Sequence, residues 1–179
     1  MNDIHVRFVP VKKEELSEFK TKLQETFTDA LIKQFGPSQN KPIPSDEDIS
    51  QSFNAKGAVI NHIFFRKKNV GGVVLNINNE TQCNSLDLFF IYPDSHNKGL
   101  GQVTWKAIEA SYPETRVWAT ATPYFEKRNI HFYVNRCGFH IVEFYNKFHP
   151  EKFSTVNSGE DGSDLNEEGF FRFEKIMKS

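Results

Sequence analysis

The sequence is poor in sulfur-containing residues and has no long uninterrupted apolar run. It holds two cysteines and two methionines in 179 residues. No segment approaches the ~20 apolar residues that a membrane-spanning helix needs, and residues 1–11 lack the pattern of a signal peptide. These absences argue against a membrane protein and against a secreted disulfide scaffold. We therefore expect a reducing cytoplasm, with Cys83 and Cys137 as small buried hydrophobic residues.

Neither sign of charge is in excess. Lysine and arginine total 22, aspartate and glutamate total 23, and the net charge is −1. Nucleic acids and anionic membranes bind concentrated basic surfaces, so we expect neither as a partner. The short run Arg66-Lys67-Lys68 fits a solvated hairpin turn. Cys137 and His140 form a lone C-x-x-H without a second ligand pair of suitable spacing, so no metal site is expected.

Bulky apolar residues are abundant enough for one core. The chain has 18 phenylalanines, and 38% of its residues are hydrophobic. With no internal repeat and no linker, residues 1–179 are predicted to form a single domain. Predicted strands cover residues 4–9, 58–65, 70–77, 85–92, 115–120, 139–145 and 170–177. Predicted helices cover residues 12–35, a short segment capped by Ser45, residues 101–112 and residues 125–137.

This order of elements is typical of an α/β protein with a mixed sheet and helices on its faces. The helix near residues 101–112 is predicted to bury one stripe of side chains. That stripe consists of Leu100, Val103, Ala107, Ile108 and Ser111. Residues 158–168 are mostly acidic or small and are predicted to form a loop.

A glycine-bearing loop follows the apolar strand 88–91 and begins a helix. Its sequence is His96-Asn97-Lys98-Gly99-Leu100-Gly101. Unpaired backbone N–H groups at a helix N-terminus bind phosphate groups, and glycine lets the backbone approach them closely. A G-x-G loop alone is a weak signal, and an ordinary loop without a ligand also explains it. Because Thr104 is the third residue after Gly101, the loop is not a dinucleotide fingerprint. It is not a P-loop either.

Together with a second motif downstream, this loop resembles the GNAT superfamily of N-acetyltransferases. The family's first motif is [RQ]-x-x-G-x-[GA] at a helix start, and this chain has His96 where arginine or glutamine is usual. The second motif, A-I-x-F-Y-x-x-x-G-F, is matched over residues 130–139 with one variable position. The asparagine that usually precedes it falls at Glu126. Asn129, about one turn further along, is the candidate substitute.

The resemblance implies a fold and a co-substrate. The fold is a mixed, mostly antiparallel sheet of about seven strands, flanked by helices and splayed between the fourth and fifth strands. Acetyl-CoA would bind in that opening, with its pantetheine arm on the fourth strand and its pyrophosphate on the glycine loop. The coenzyme-binding residues that the resemblance implies are Phe89, Phe90, Ile91, His96, Asn97, Lys98, Gly99, Leu100, Gly101, Gln102, Asn129 and Tyr133.

The resemblance also implies direct attack of an amine on the thioester, which needs a base, an oxyanion donor and an acid. Tyr133 matches the family's tyrosine that points at the coenzyme sulfur; otherwise it is a core aromatic residue. Where some members carry a glutamate base, this chain has Ser85. Asp87 has the same pleat parity unless a bulge intervenes, and is the candidate base or else an acid on a solvated strand face. The other candidate bases are His62, Glu143 and a water chain.

The function that we predict is acetylation of a primary amine in a small molecule or peptide. The first alternative is a non-catalytic acyl-CoA-binding regulatory module, which the missing base glutamate and Glu126 favour. The second alternative is an α/β domain without a cofactor. The resemblance implies an acceptor pocket formed by residues 24–53 and 144–170, where acidic residues could attract a cationic amine. Because relatives often form homodimers, a homodimer is left open.

Overall fold

A computed structural model describes residues 5–37, 44–96, 99–151 and 169–178. Seven strands form one sheet in the order β1-β2-β3-β4-β5-β7-β6. In chain order the elements are β1 (Val6–Pro10), a short 3-10 helix (Lys13–Glu15), α1 (Leu16–Phe35), α2 (Asp46–Asn54), β2 (Ala58–Phe65), β3 (Lys68–Asn76), β4 (Cys83–Ile91), a second 3-10 helix (Pro93–Ser95), α3 (Leu100–Ser111), β5 (Val117–Pro123), α4 (Lys127–His131), a π-helix (Phe132–Cys137), β6 (His140–Tyr145) and β7 (Phe170–Ile176).

The predicted mixed, mostly antiparallel sheet is confirmed. β4 and β5 run parallel, and the other neighbouring strands run antiparallel. A parallel pair needs a crossover, which the chain makes through α3. No helix in the described ranges is long and apolar enough to cross a membrane.

Local signals in the sequence set several element ends. Ser45 caps α2, since its Oγ accepts a hydrogen bond from the Asp48 N–H at 3.2 Å. Gly138 ends the π-helix with φ 84° and donates its N–H to the Tyr133 carbonyl. The β2–β3 turn is centred on Arg66 and Lys67, with φ of 48° and 68°. A tight hairpin turn requires positive φ at its central residues, and the turn falls within the run Arg66-Lys67-Lys68 as predicted.

The helices cover both faces of the sheet with separate apolar cores. α3 and the π-helix pack on one face, while α1 and α2 pack on the other through Phe19, Leu23 and Ile49. The predicted α3 stripe is correct for Leu100 and Ile108 but wrong for Ser111, which is exposed. Trp105 is buried instead, because its ring packs edge-on against Trp118 of β5 at 5.3 Å.

Two other expectations need correction. The helix predicted over residues 125–137 begins at Lys127 and widens into a π-helix from Phe132 onwards. Cys137 is buried as expected, but Cys83 is exposed, since it is the first residue of β4 and its Sγ lies 3.7 Å from the Thr81 carbonyl. The predicted loop at residues 158–168 lies outside the described residues.

Candidate active site

β4 and β5 separate soon after they begin. Their parallel ladder joins residues 83–85 to residues 117–119, and in the described residues no strand pairing links them further on. We call the pair Ser85 and Ala119 the vertex, and the opening beyond it the cleft. Just past the vertex, a side chain replaces the backbone ladder, because Thr120 Oγ1 donates to the Leu86 carbonyl at 2.8 Å. The splay expected between the fourth and fifth strands is therefore present.

The backbone of β4 presents polar groups to this cleft. The Tyr92 N–H donates to the Val70 carbonyl of β3 at 2.8 Å. Since backbone groups alternate between the two edges of a strand, those of Phe89 and Ile91 point away from β3, toward the cleft. Phe89 and Ile91 therefore present backbone polar groups to the cleft. Phe90 does not face the cleft, because its backbone points to β3 and its buried ring packs in the core on the α1 side.

His96 makes a contact that the sequence could not reveal. Its Nε2 lies 2.6 Å from the carbonyl oxygen of Ile91, on the cleft edge of β4. A carbonyl can only accept, so Nε2 carries the hydrogen. The residue that departs from the family motif therefore ties the start of the glycine loop to β4. Asn97 and Lys98, the next two predicted binding residues, lie outside the described residues.

The N-terminus of α3 is open on one side. Gly99 is the N-cap of this helix and has φ 68°, a conformation that disfavours side chains. A Cβ built on Gly99 meets no atom within 4 Å among the described residues, and a helix N-terminus is a general binding site for anionic groups. These features fit the pyrophosphate of a coenzyme.

The neighbouring residues of α3 have packing roles. Leu100 is buried in the core. A Cβ on Gly101 would lie 3.1 Å from the ring of Phe132, so this glycine allows α3 to approach the π-helix closely. Gln102 Nε2 donates to the Arg136 carbonyl at 3.2 Å and joins the same two helices. These residues therefore fix the start of α3 against the core and the π-helix.

Tyr133 is a core aromatic residue of the π-helix. Its ring is buried between Phe139 and Phe173, at centroid distances of 5.8 and 5.6 Å. Burial raises the pKa of the Tyr133 phenol to about 12, and the side chain of Thr120, next to the vertex, opposes that rise. The phenol is therefore protonated at neutral pH.

Asp87 lies on a β-bulge. The β3–β4 register passes from Leu86 to Leu88 without pairing Asp87. Leu86 faces the α3 core, whereas Leu88 faces the core under α1 and α2. Ser85 Oγ donates to Asp87 Oδ1 at 2.6 Å, which places the Asp87 carboxylate on the α1 face with Ser85. Burial raises the pKa of Asp87, while the hydrogen bond from Ser85 lowers it.

The other candidate bases lie elsewhere in the sheet. His62 is on β2, where its Nε2 is 3.6 Å from a Glu15 carboxylate oxygen and its ring contacts Phe19. Glu143 is on β6, 3.2 Å from His149 Nε2. The strand order puts β3 between His62 and β4, and puts β5 and β7 between Glu143 and β4. Asp87 is therefore the one of the three that lies on the strand lining the cleft.

The start of α4 brings two polar residues to the carboxyl end of β5. Burial raises the pKa of Glu126, which occupies the N-cap position of α4, where the family has asparagine, and makes no side-chain cap hydrogen bond. Asn129 Nδ2 donates to Thr122 Oγ1 of β5 at 3.4 Å. The Asn129 amide is therefore directed at β5.

An acidic cavity opens beside α1, on the same face of the sheet as Asp87. It has a volume of about 1100 Å³ and extends along α1 past Glu18, Glu25 and Asp29 to Tyr92 and Asp94. Burial raises the pKa of Tyr92, and the carboxylates of Glu18, Asp94 and Glu25 raise it further, so these acids surround the phenol. Glu25 and Asp29 belong to the segment 24–53 that the resemblance implied for the acceptor pocket, whereas the other walls include β1, β2 and the end of β4 but no residue of the segment 144–170.

Comparison with known proteins agrees with this geometry. Residues 21–139 match the sequence model of the family described as Acetyltransferase (GNAT) family. The uncharacterized protein YrkN of Bacillus subtilis (strain 168) is 56% identical over 168 residues, covering 93% of this chain and 91% of YrkN. A GNAT family acetyltransferase from Elizabethkingia anophelis with acetyl-CoA bound has a TM-score of 0.65 at 11% identity, covering 99% of this chain and 100% of that one. Spermidine N-acetyltransferase from Vibrio cholerae in complex with CoA and spermine has a TM-score of 0.62 at 13% identity, covering 96% of this chain and 95% of that one.

Proposed function

Since this chain belongs to the GNAT acetyltransferase family, we propose that it transfers the acetyl group of acetyl-CoA to a primary amine. The observation that carries this proposal is the cleft between β4 and β5. One side of that cleft is the edge of β4 beyond the vertex, which pairs with no strand in the described residues. The N-terminus of α3, with Gly99 as its N-cap, comes after this strand in the chain. A buried phenol and a carboxyl group with a raised pKa lie close to the vertex.

The binding residues follow from the strand edge and the glycine loop. Acetyl-CoA supplies an activated acetyl thioester. The backbone groups of Phe89 and Ile91 face the cleft and would hold the amide-bearing arm. The N–H groups at the start of α3, with Gly99 as N-cap, would hold the pyrophosphate. His96 would keep this loop fixed to β4.

Asp87 and Tyr133 would each carry out one of the two proton transfers. Asp87 would accept a proton from the attacking amine. Its raised pKa suits this role, because a general base works best when its pKa lies near the operating pH. Tyr133 stays protonated at neutral pH and would donate to the departing sulfur. A backbone N–H of β4, from Phe89 or Ile91, would stabilise the oxyanion. Each group lies on β4 or on the helix packed beside it.

The acidic cavity favours a cationic small-molecule amine as acceptor over a peptide. Five acids, among them Glu18, Glu25 and Asp29 of α1, and two lysines line the cavity, so its charged side chains have a net negative charge. Such a potential attracts protonated amines and raises their local concentration. The Vibrio cholerae enzyme, which shares this fold, was solved with spermine.

The second candidate function is a non-catalytic acyl-CoA-binding regulatory module. Glu126 favours it, because a carboxylate stands where the family's asparagine is usual. Coenzyme binding is common to both functions, and only acetyl transfer separates them.

The first test is the melting temperature with and without acetyl-CoA. A ligand at 100 times its Kd stabilises the folded state by about 2.7 kcal/mol. We expect this shift in the wild type and its loss in Gly99→Trp. Gly36→Trp is the matched control, since Gly36 also has positive φ and a Cβ built on it also meets no atom within 4 Å among the described residues. This control should lose stability comparably and keep the shift.

Turnover then separates the two functions. Release of free CoA thiol is measured with a panel of mono-, di- and polyamines. Stabilisation with turnover supports the acetyltransferase. Stabilisation without turnover on any amine would support the regulatory module, and a wild type that acetyl-CoA does not stabilise would refute both.

A further inference from the structure

The turn between β2 and β3 lies beside the segment that leads into α3. β3 pairs antiparallel with β4, and just past the end of β4 the Tyr92 N–H donates to the Val70 carbonyl at 2.8 Å. Lys68, the first residue of β3, donates from Nζ to Asp94 Oδ2 at 2.8 Å. Asp94 belongs to the short 3-10 helix that separates β4 from the glycine loop. The turn therefore lies at the carboxyl end of β4, from which the chain passes to the glycine loop and α3.

Arg66 and Lys67 form this turn and bring two cations to it. Both side chains are exposed. The guanidinium carbon of Arg66 lies 5.2 Å from the centroid of the Phe65 ring. Lys68 is paired with Asp94, whereas Arg66 and Lys67 have no carboxylate within ion-pair distance in the part of the chain that the structure describes. The turn thus presents two cations to solvent next to the glycine loop.

The backbone of the turn is unfavourable for these two residues. Arg66 and Lys67 have φ of 48° and 68°, and Phe65 pairs with Lys68 across them. A two-residue hairpin turn with positive φ at both positions favours Asn-Gly, because other side chains crowd the backbone in this conformation. Strain of this kind is found mainly at binding and catalytic sites. The stability of the fold therefore does not explain why an arginine and a lysine stand here.

The coenzyme has a phosphate group that the N-terminus of α3 leaves without a partner. Besides its pyrophosphate, acetyl-CoA carries a 3′-phosphate monoester on the ribose, with a charge of about −1.5 to −2 at neutral pH. Exposed lysine and arginine bind such a group, and the arginine fork can contact two of its oxygens. We propose that Arg66 and Lys67 bind the 3′-phosphate and make the protein selective for acetyl-CoA over dephospho-acetyl-CoA. The inference rests on the proposed function, since both need acetyl-CoA to bind.

A matching pair of cations lies on the other side of the cleft. Lys127 and Arg128 are the first two residues of α4, which follows β5 in the chain. Both are exposed, and they are the same two residue types as in the turn. Their replacement by alanine therefore removes the same charge from the opposite side of the cleft and serves as the control.

The test compares the Kd of acetyl-CoA with the Kd of dephospho-acetyl-CoA, both measured by calorimetry. The two compounds differ only in the 3′-phosphate. Wild type should bind acetyl-CoA about tenfold more tightly, the effect of two exposed cations on one phosphate. In the double variant Arg66→Asn/Lys67→Gly the two Kd values should agree within about twofold, and the Kd of dephospho-acetyl-CoA should match that of wild type. The double variant Lys127→Ala/Arg128→Ala should keep the tenfold preference.

The chosen substitutions also separate loss of binding from loss of folding. Because Asn-Gly suits this turn, Arg66→Asn/Lys67→Gly should melt without ligand at the wild-type temperature or higher. A preference for acetyl-CoA that persists in this variant would overturn the proposal, as would an equal loss of preference in Lys127→Ala/Arg128→Ala. If wild type binds both compounds equally well, this inference alone fails. If wild type binds neither, the proposed function fails with it.

Discussion

Asp87→Asn removes one proton acceptor and little else from the site. The amide has nearly the volume of the carboxylate, and its oxygen can still accept the hydrogen bond that Ser85 Oγ makes at 2.6 Å. General acid–base catalysis by one group contributes about 10²–10⁴-fold. We therefore expect kcat at neutral pH to fall about 100-fold or more, with the Kd of acetyl-CoA nearly unchanged.

Although Asp87→Asn should lower kcat, it should not lower the stability of the folded protein. Burial raises the folded-state pKa of Asp87 above its unfolded value. For a group with a raised pKa, the stabilising contribution is complete below the unfolded pKa and is lost as pH rises through the folded pKa. At neutral pH the wild type therefore bears the cost of a partly buried charge, and the Asp87→Asn variant does not. This variant should melt at the same temperature as the wild type or higher.

The assay is kcat against pH at saturating acetyl-CoA and amine, together with melting curves. The wild-type rate should fall on the acidic side as Asp87 becomes protonated, and this limb should disappear in Asp87→Asn. A loss of less than about threefold in kcat would refute the role of Asp87, since removal of a working base costs far more. So would a variant that keeps the wild-type acidic limb.

Three further substitutions test separate contacts. Ser85→Ala should shift the acidic limb of the kcat–pH profile to higher pH, because the hydrogen bond from Ser85 lowers the pKa of Asp87. A measurement of kcat against pH checks this shift. Tyr133→Phe should lower kcat about 10²-fold and leave the Kd of acetyl-CoA by calorimetry nearly unchanged. Gly72→Ala should destabilise the fold by about 1–3 kcal/mol in urea, because its Cβ would lie 2.4 Å from the Phe19 ring. Adding Phe19→Leu should restore part of that loss.

The sequence specified the fold well where local patterns suffice. The alternating strands, the Ser45 cap and Gly138 each depend on neighbours in sequence. The α3 stripe was wrong at Ser111 because the burial of Trp105 depends on Trp118, a residue on another strand. Tertiary packing decided which face of α3 turned inward.

The site was predictable as a set of residues and not as an arrangement. The glycine loop and Tyr133 are visible as motifs, and Asp87 as an acid on a strand. The bulge could not be predicted, because it is a mismatch between β4 and β3 that neither strand encodes alone. The contacts of His96 with Ile91, and of Thr120 with Leu86, likewise require the fold.

The bulge at Asp87 accounts for both the opening of the cleft and the position of the candidate base. An extra residue bends a strand and increases its twist, and β4 parts from β5 just before this point. Deletion of Asp87 should leave a regular strand, since Leu86 and Leu88 already face opposite cores. We expect the deletion variant to fold and β4 to straighten toward β5. Its Kd for acetyl-CoA by calorimetry should rise more than about tenfold, whereas Asp87→Asn binds normally. A folded deletion variant with wild-type affinity would show that the cleft opens without the bulge.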